Sequence, residues 1–370
     1  MKGGNIIEKS KELKKLISSI NKSEEEKHQV IPTDIKSLDY ILGGGIELGS
    51  KVQIVAESST GKSTIALNIC RNFCKKNLNV LYIDTENSIT KDLIKSTYCE
   101  QYCNNEEDTD CGDLLLVKES EFKQVSKILD NCLKTKHFHL VIIDSLANLV
   151  NECYTDIDGK KKTKSEVKDL TNNNTNYESR PLNLFINKYS SLAKEFNVGM
   201  IYINQYRNKV DPTKGTILKE FGIKSVRYNS DIIIKIKKDK EEYILDENNI
   251  MMENSSKSSL PTEYSKLIFT VEKSNKLLTN ITAETYIKYG YGIDETLDKI
   301  TSLIREKTIP CINGWYEINL NNYANKVQGM KELIKLIYMN LDEFNQKYFN
   351  QTFNEDTTEG IKVYGWDDED

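Results

Sequence analysis

Ala56-Glu57-Ser58-Ser59-Thr60-Gly61-Lys62-Ser63-Thr64 follows the apolar run Val52–Val55 and opens a segment, Ser63–Lys75, with helical spacing. A strand, a polar turn and a helix in that order form the setting in which Gly-Lys-Ser binds phosphate. Backbone N–H groups of the turn and of the helix N-terminus converge on an anion. Lys62 is then placed for the β and γ phosphates of a nucleotide, and the Ser63 hydroxyl for Mg²⁺. One position departs from the usual pattern, because Ala56 stands where the first glycine is expected. Alanine does not readily take positive φ, so the loop is either unstrained there or slightly displaced.

Working outward, further short apolar runs read as buried strands: Val80–Ile83, Leu114–Val117, Leu140–Ile143, Met200–Ile203 and Ile232–Ile236. Helical patterns cover Glu121–Leu133 and Pro181–Phe196 as well as Ser63–Lys75. The alternation predicts an α/β fold with a mainly parallel central sheet covered on both faces. Ligands then collect at the carboxyl ends of the strands. Two stretches, 154–180 and 237–262, are polar and read as long loops. Beyond them come strands at Lys266–Val271 and Ala283–Tyr289, a helix at Glu295–Glu306, a C-terminal helix at Gly329–Phe349 and an acidic tail. Near the start, Leu13, Leu16, Ile17 and Ile20 form a helical apolar stripe, followed by a polar linker over 21–29. That stripe needs a cover, either from its own domain or from a neighbouring subunit.

Three strand ends carry polar groups. Val141-Ile-Ile-Asp144-Ser145 ends in a carboxylate, which beside a phosphate loop serves the Mg²⁺ shell. Leu81-Tyr-Ile-Asp84-Thr85-Glu86 supplies a candidate general base for an attacking water. Strand alternation favours Glu86 for that role and leaves Asp84 a structural one. Ile201-Tyr-Ile-Asn204-Gln205 puts an amide where it can sense a γ-phosphate and pass the signal into the basic segment after it.

The chain has 370 residues, 38% of them hydrophobic and 29% charged, with a net charge of −5. That size supports a sizeable core, and the weakly acidic total leaves nucleic-acid binding to local clusters of charge. Eight Cys lie in no disulfide framework, and Cys99, Cys103 and Cys111 fit no zinc spacing. No run is long enough to span a membrane and no signal core opens the chain, so a reducing cytoplasmic setting is expected.

The ordered set resembles the RecA-family recombinases. It runs from Ile31-Pro-Thr-Asp-Ile-Lys-Ser37-Leu38-Asp39 through the phosphate loop, Tyr82-Ile-Asp-Thr-Glu86, Ile143-Asp144-Ser145-Leu-Ala-Asn148 and Asn204-Gln205. Val226-Arg-Tyr228-Asn-Ser230-Asp231, Val271-Glu272-Lys273-Ser274, Tyr291-Gly292-Ile293-Asp294 and Asn313-Gly314-Trp315-Tyr316 look most like the phage UvsX branch. The likeness covers roughly residues 31–317. It implies a RecA-like P-loop ATPase core over 31–294, an N-terminal oligomerisation helix with its linker over 1–30, a C-terminal segment over 295–360 and the tail over 361–370. It also implies ATP and Mg²⁺ held at the interface between protomers of a helical filament, which favours the neighbouring subunit as cover for the N-terminal stripe. Lys273 would then reach the γ-phosphate of the adjacent subunit, with Lys276 offset by one residue from the family's second lysine. Leu93 stands where the family stacks a tyrosine on adenine.

The resemblance further implies two DNA-binding loops, at about 151–180 and 206–225. The first holds Lys160, Lys161, Lys162, Lys164 and Lys168 and ends near Arg180. The second holds Arg207, Lys209, Lys214, Lys219 and Lys224. Cations on polar loops suit phosphate backbones without reading sequence. The function expected is ATP-dependent strand exchange between single-stranded and duplex DNA, with a single-strand-binding protein and a loading mediator as further partners. Two rivals stand beside it: a hexameric helicase motor on the same fold, and a mediator that uses ATP only to assemble.

Overall fold

The computed structural model describes residues 29–97, 99, 111–149, 179–211, 215–220, 224–245, 251–253, 263–320 and 326–349. The N-terminal stripe, the acidic tail and the cationic residues 160–168 lie outside them.

One twisted sheet of eleven strands organises the chain. In chain order these are β1 (Lys51–Ala56), β2 (Asn79–Asp84), β3 (Leu114–Lys118), β4 (Phe138–Asp144), β5 (Gly199–Asp211) and β6 (Gly215–Glu220). The remainder are β7 (Ile232–Leu245), β8 (Met251–Glu253), β9 (Tyr264–Ser274), β10 (Thr282–Lys288) and β11 (Gly292–Ile293). The spatial order is β11-β10-β9-β7-β1-β5-β4-β2-β3, with β8 paired to β7 and β6 paired to β5. The block from β7 to β3 is parallel, and the pairings that involve β6, β8, β9, β10 and β11 are antiparallel. β1 is central and buried along its whole length, as its run of Val and Ile dictates.

Helices cover both faces. α1 (Lys36–Leu42) and α2 (Lys62–Cys74) enclose one core with Val52, Ile54, Val80, Tyr82, Leu140 and Ile142. α3 (Phe122–Thr135) and α4 (Ser179–Phe196) enclose the other with Leu81, Ile83, Val141, Ile143 and Met200. The strict alternation between these sets follows from the two-residue period of a strand. α5 (Lys224–Asn229) leads into β7. A third core joins α6 (Glu295–Arg305), α7 (Met330–Met339) and α8 (Leu341–Tyr348) to Tyr264 and Tyr286 of the sheet.

Three local expectations need correction. The second basic loop is a β-hairpin: β5 runs thirteen residues to Asp211 and pairs back with β6. The part of the stretch 237–262 that the structure describes is likewise strand, because β7 continues to Leu245 and pairs with β8. The C-terminal helix is two helices broken at Asn340, whose φ of −132° and ψ of 38° leave helical geometry.

Ile35, the residue before α1, has no side chain able to cap the helix. Asp298 of α6 does so from across the chain, accepting from Lys36 N at 2.5 Å and Ser37 N at 3.3 Å. Asp298 is 2% exposed, so water cannot take over its role. Asp298→Ala should therefore cost about 1–3 kcal/mol of stability, since buried N–H groups lose their acceptor. A urea titration with an unchanged midpoint would mean that α1 needs no such cap.

Candidate active site

The turn after β1 has its left-handed residues at Ser59 (φ 59°) and Gly61 (φ 90°). Ala56 instead ends β1 in the ladder, paired with Gln205 and Ile236, so no glycine is required there. At Gly61 a side chain would also overlap Ile287 Cδ1. Thr60 Oγ1 and Lys62 Nζ both donate to Glu57 O, at 2.8 and 2.7 Å, drawing the turn around the lysine. Lys62 is buried, and burial lowers its pKa against the opposing pull of Asp144 and Glu86. A buried ammonium at the start of α2, beside free backbone N–H groups, is a site for a polyphosphate.

The parallel register places the other groups around it. Asp84 lies beside Asp144 across β2 and β4, and Gln205 beside Ala56 across β5 and β1. Asp144 Oδ2 accepts from Ser63 Oγ at 2.5 Å and from the Tyr82 hydroxyl at 2.7 Å. Burial raises the Asp144 pKa, the two hydroxyls oppose that, and Glu86 and Asp84 add to it. Burial and the neighbouring Asp144 also push the Tyr82 phenol well above its ordinary value, so it remains a donor. A hydroxyl and a carboxylate in contact next to a phosphate site are the hard oxygen ligands Mg²⁺ takes.

Glu86 Oε1 accepts from Ser145 Oγ and from Gln205 Nε2, each at 2.6 Å. The Thr85 hydroxyl binds both the N–H and the carbonyl of Ser145, tying the ends of β2 and β4 together. Asp84 is wholly buried and accepts from the backbone N–H groups of Glu86, Ser88 and Ile89. It shapes the turn that carries Glu86, so the two carboxylates divide into a structural one and an available one. Sequence reasoning missed Tyr82 and Ser145. The available signal was a phenol inside an otherwise apolar strand, since a buried tyrosine hydroxyl usually finds a partner.

The remaining candidates lie elsewhere. Lys273 pairs in register with Ile233, whose neighbour in β1 is Gln53, toward the amino-terminal end of that strand. Its ammonium donates to the carbonyls of Arg227, Tyr228 and Ser230 at 2.7–3.1 Å, where α5 ends. Lys276 pairs with Glu47 at 2.5 Å. A groove of about 490 Å³ opens beside Lys276 at that far end, so neither lysine joins the P-loop of its own chain. Leu93 packs against the first core instead of standing free.

Tyr206, the first residue of β5 beyond the glutamine, lies under the Lys235 ammonium, 5.1 Å from the ring centre. The hairpin that follows sets Arg207 opposite Lys219 and Lys209 opposite Ile217. Arg180 falls in the first turn of α4 and Lys224 opens α5. Lys214, Lys160, Lys161, Lys162 and Lys164 lie outside the described residues. No helix among the described residues is long and apolar enough to cross a membrane.

Comparison with known proteins agrees with this architecture. The profile of the RecA N-terminal domain matches residues 5–266. Protein RecA of Fusobacterium nucleatum is 24% identical over 302 residues, covering 81% of this chain and 71% of its own. Protein RecA of Phytoplasma mali is 24% identical over 330 residues, covering 89% and 87%, and that of Mycoplasma mycoides is 24% identical over 307 residues, covering 83% and 77%. With the family profile spanning well over half the chain, on a mainly parallel sheet with a phosphate loop after its central strand, the protein belongs to the RecA family.

Proposed function

We propose that this chain is a DNA-dependent ATPase that exchanges DNA strands as a helical filament, a recombinase resembling the phage UvsX branch. One observation supports the reading above the rest. Gln205 hydrogen-bonds Glu86 beside the phosphate loop and, one residue on, its strand becomes a hairpin with cationic positions. Nucleotide chemistry and a polyanion-binding element thus share one continuous strand.

Each residue has a role in this reading. Lys62 and the N–H groups at the start of α2 bind the β and γ phosphates of ATP. Ser63 and Asp144 hold Mg²⁺, which when bound neutralises phosphate charge and aligns the terminal group. Glu86 takes the proton of the attacking water. Gln205 reports the terminal phosphate to the hairpin, so that hydrolysis loosens the grip on DNA. Lys273 and Lys276 act on the nucleotide of the adjacent protomer, which accords with their distance from their own phosphate loop. Assembly would release Lys276 from Glu47. Lys160, Lys161, Lys162, Lys164, Arg180, Arg207, Lys209, Lys214, Lys219 and Lys224 contact DNA phosphates, and a single-strand-binding protein and a mediator assist loading.

Electron microscopy with single-stranded DNA, ATP and Mg²⁺ tests the assembly: helical filaments are expected, while closed rings would favour a helicase motor. Replacing Arg207 and Lys209 together by Ala should weaken single-strand binding without unfolding the protein. Each phosphate contact contributes about −0.7 to the slope of log affinity against log salt, so losing two should flatten it by about 1.4. Parental affinity and slope in a fluorescence-anisotropy titration would remove the hairpin from the DNA site.

A further inference from the structure

Tyr82 is the one buried phenol that touches the phosphate-loop cluster among the described residues. Its ring belongs to the core beneath α2, with Val80, Leu140 and Ile142 as neighbours. The register sets Tyr82 beside Ile142, two residues before Asp144 on the adjacent strand. From there its hydroxyl reaches Asp144 Oδ2 at 2.7 Å, while Ser63 Oγ reaches the same oxygen at 2.5 Å from the first turn of α2. A carboxylate held by one donor still turns about its Cβ–Cγ bond. Two donors from different elements on one oxygen fix its plane and leave Oδ1 without a donor among the described residues. Tyr82 is 0% exposed and Asp144 2%, so water does not replace the phenol if it is lost. Phenylalanine would fill the same volume and serve the core equally well. The hydroxyl is therefore what needs explaining.

We propose that Tyr82 is a positioning residue for the Mg²⁺ site, its hydroxyl holding Oδ2 of Asp144 so that Oδ1 is left to the cation. The proposal rests on the reading of Asp144 as a metal ligand. Hydrogen-bonding partners of metal-ligating groups typically account for about 10–100-fold in metal affinity.

The test is Tyr82→Phe in the full chain, with Mn²⁺ as probe and free Mn²⁺ followed by electron paramagnetic resonance in the presence of ADP. Mn²⁺ affinity should fall by about 10–100-fold, while ADP affinity without metal stays parental. A purely packing role would move only the thermal midpoint, so parental Mn²⁺ affinity overturns the proposal. Asp144→Asn separates the two layers. If it too leaves Mn²⁺ affinity parental, the metal role of Asp144 fails. If it weakens Mn²⁺ binding and Tyr82→Phe does not, only the Tyr82 proposal fails. Adding Tyr82→Phe to Asp144→Asn should give no further loss, because the phenol acts through that carboxylate, and an additive loss counts against it. Should the Phe variant fold poorly, Tyr82→Met carries the same titration.

Discussion

Lys62→Ala loses ATP affinity by roughly 30-fold to several-thousand-fold, the equivalent of about 2–5 kcal/mol for removing one partner of a buried charge pair. The size of the effect follows from burial. Lys62 is only 7% exposed and is held by Glu57 O at the mouth of the loop. A phosphate bound there meets a cation already stripped of much of its water. Alanine leaves the phosphate charge without its fixed counter-cation, and water in a site this enclosed replaces it poorly. Isothermal titration with ATP and Mg²⁺ measures the loss, and filament formation should fail with it. Affinity within a factor of two of the parent would show that the phosphates do not sit at Lys62.

Glu86→Gln should slow hydrolysis by about 10²–10⁴ while ATP and DNA binding hold. Glutamine keeps the shape of the side chain and an oxygen that can accept from Ser145 and Gln205, the two donors at 2.6 Å. What it loses is the ability to take a proton. The variant therefore separates chemistry from architecture, and its filaments should outlast those of the parent. Steady-state phosphate release measures it. Unchanged turnover would move the base elsewhere. Asp84 is a poor second choice, because both of its oxygens are already occupied by backbone N–H groups.

The elements read well from sequence are those whose side chains face a core. β1, β2 and β4 are apolar on both faces because helices cover both, and their runs of Val, Ile and Leu announce it. The polar residues that end those strands were legible for the same reason, each standing out against an apolar run. The hairpin beyond Gln205 was not. Tyr206–Asp211 and Gly215–Glu220 pair with each other, and their Lys, Asn and Thr carry no alternating apolar pattern, so they read as loop. Charges hid the continuation of β7 past Ile236 in the same way. Contacts between distant residues, such as Tyr82 with Asp144 or Asp298 with the start of α1, depend on strand order and helix placement. No local pattern carries them. Ala56 is a different case: the usual glycine suggested a backbone need that this turn meets at Ser59 and Gly61 instead.

β5 is built like a cantilever. Its first part is clamped in the sheet, Met200–Gln205 by β1 and Gly199–Tyr202 by β4 as well, while Tyr206–Asp211 pairs with β6. At about 3.3 Å per residue, some 20 Å of ribbon projects from the clamp, and Gln205 sits at the fulcrum with its amide on Glu86. Under the proposed function, a load on the hairpin would be felt as torque at that amide, and a change at the amide would re-aim the hairpin. Such coupling has no preferred direction. If the hairpin binds a polyanion as proposed, whatever factor that adds to the grip on nucleotide, nucleotide must return to the grip on the polyanion.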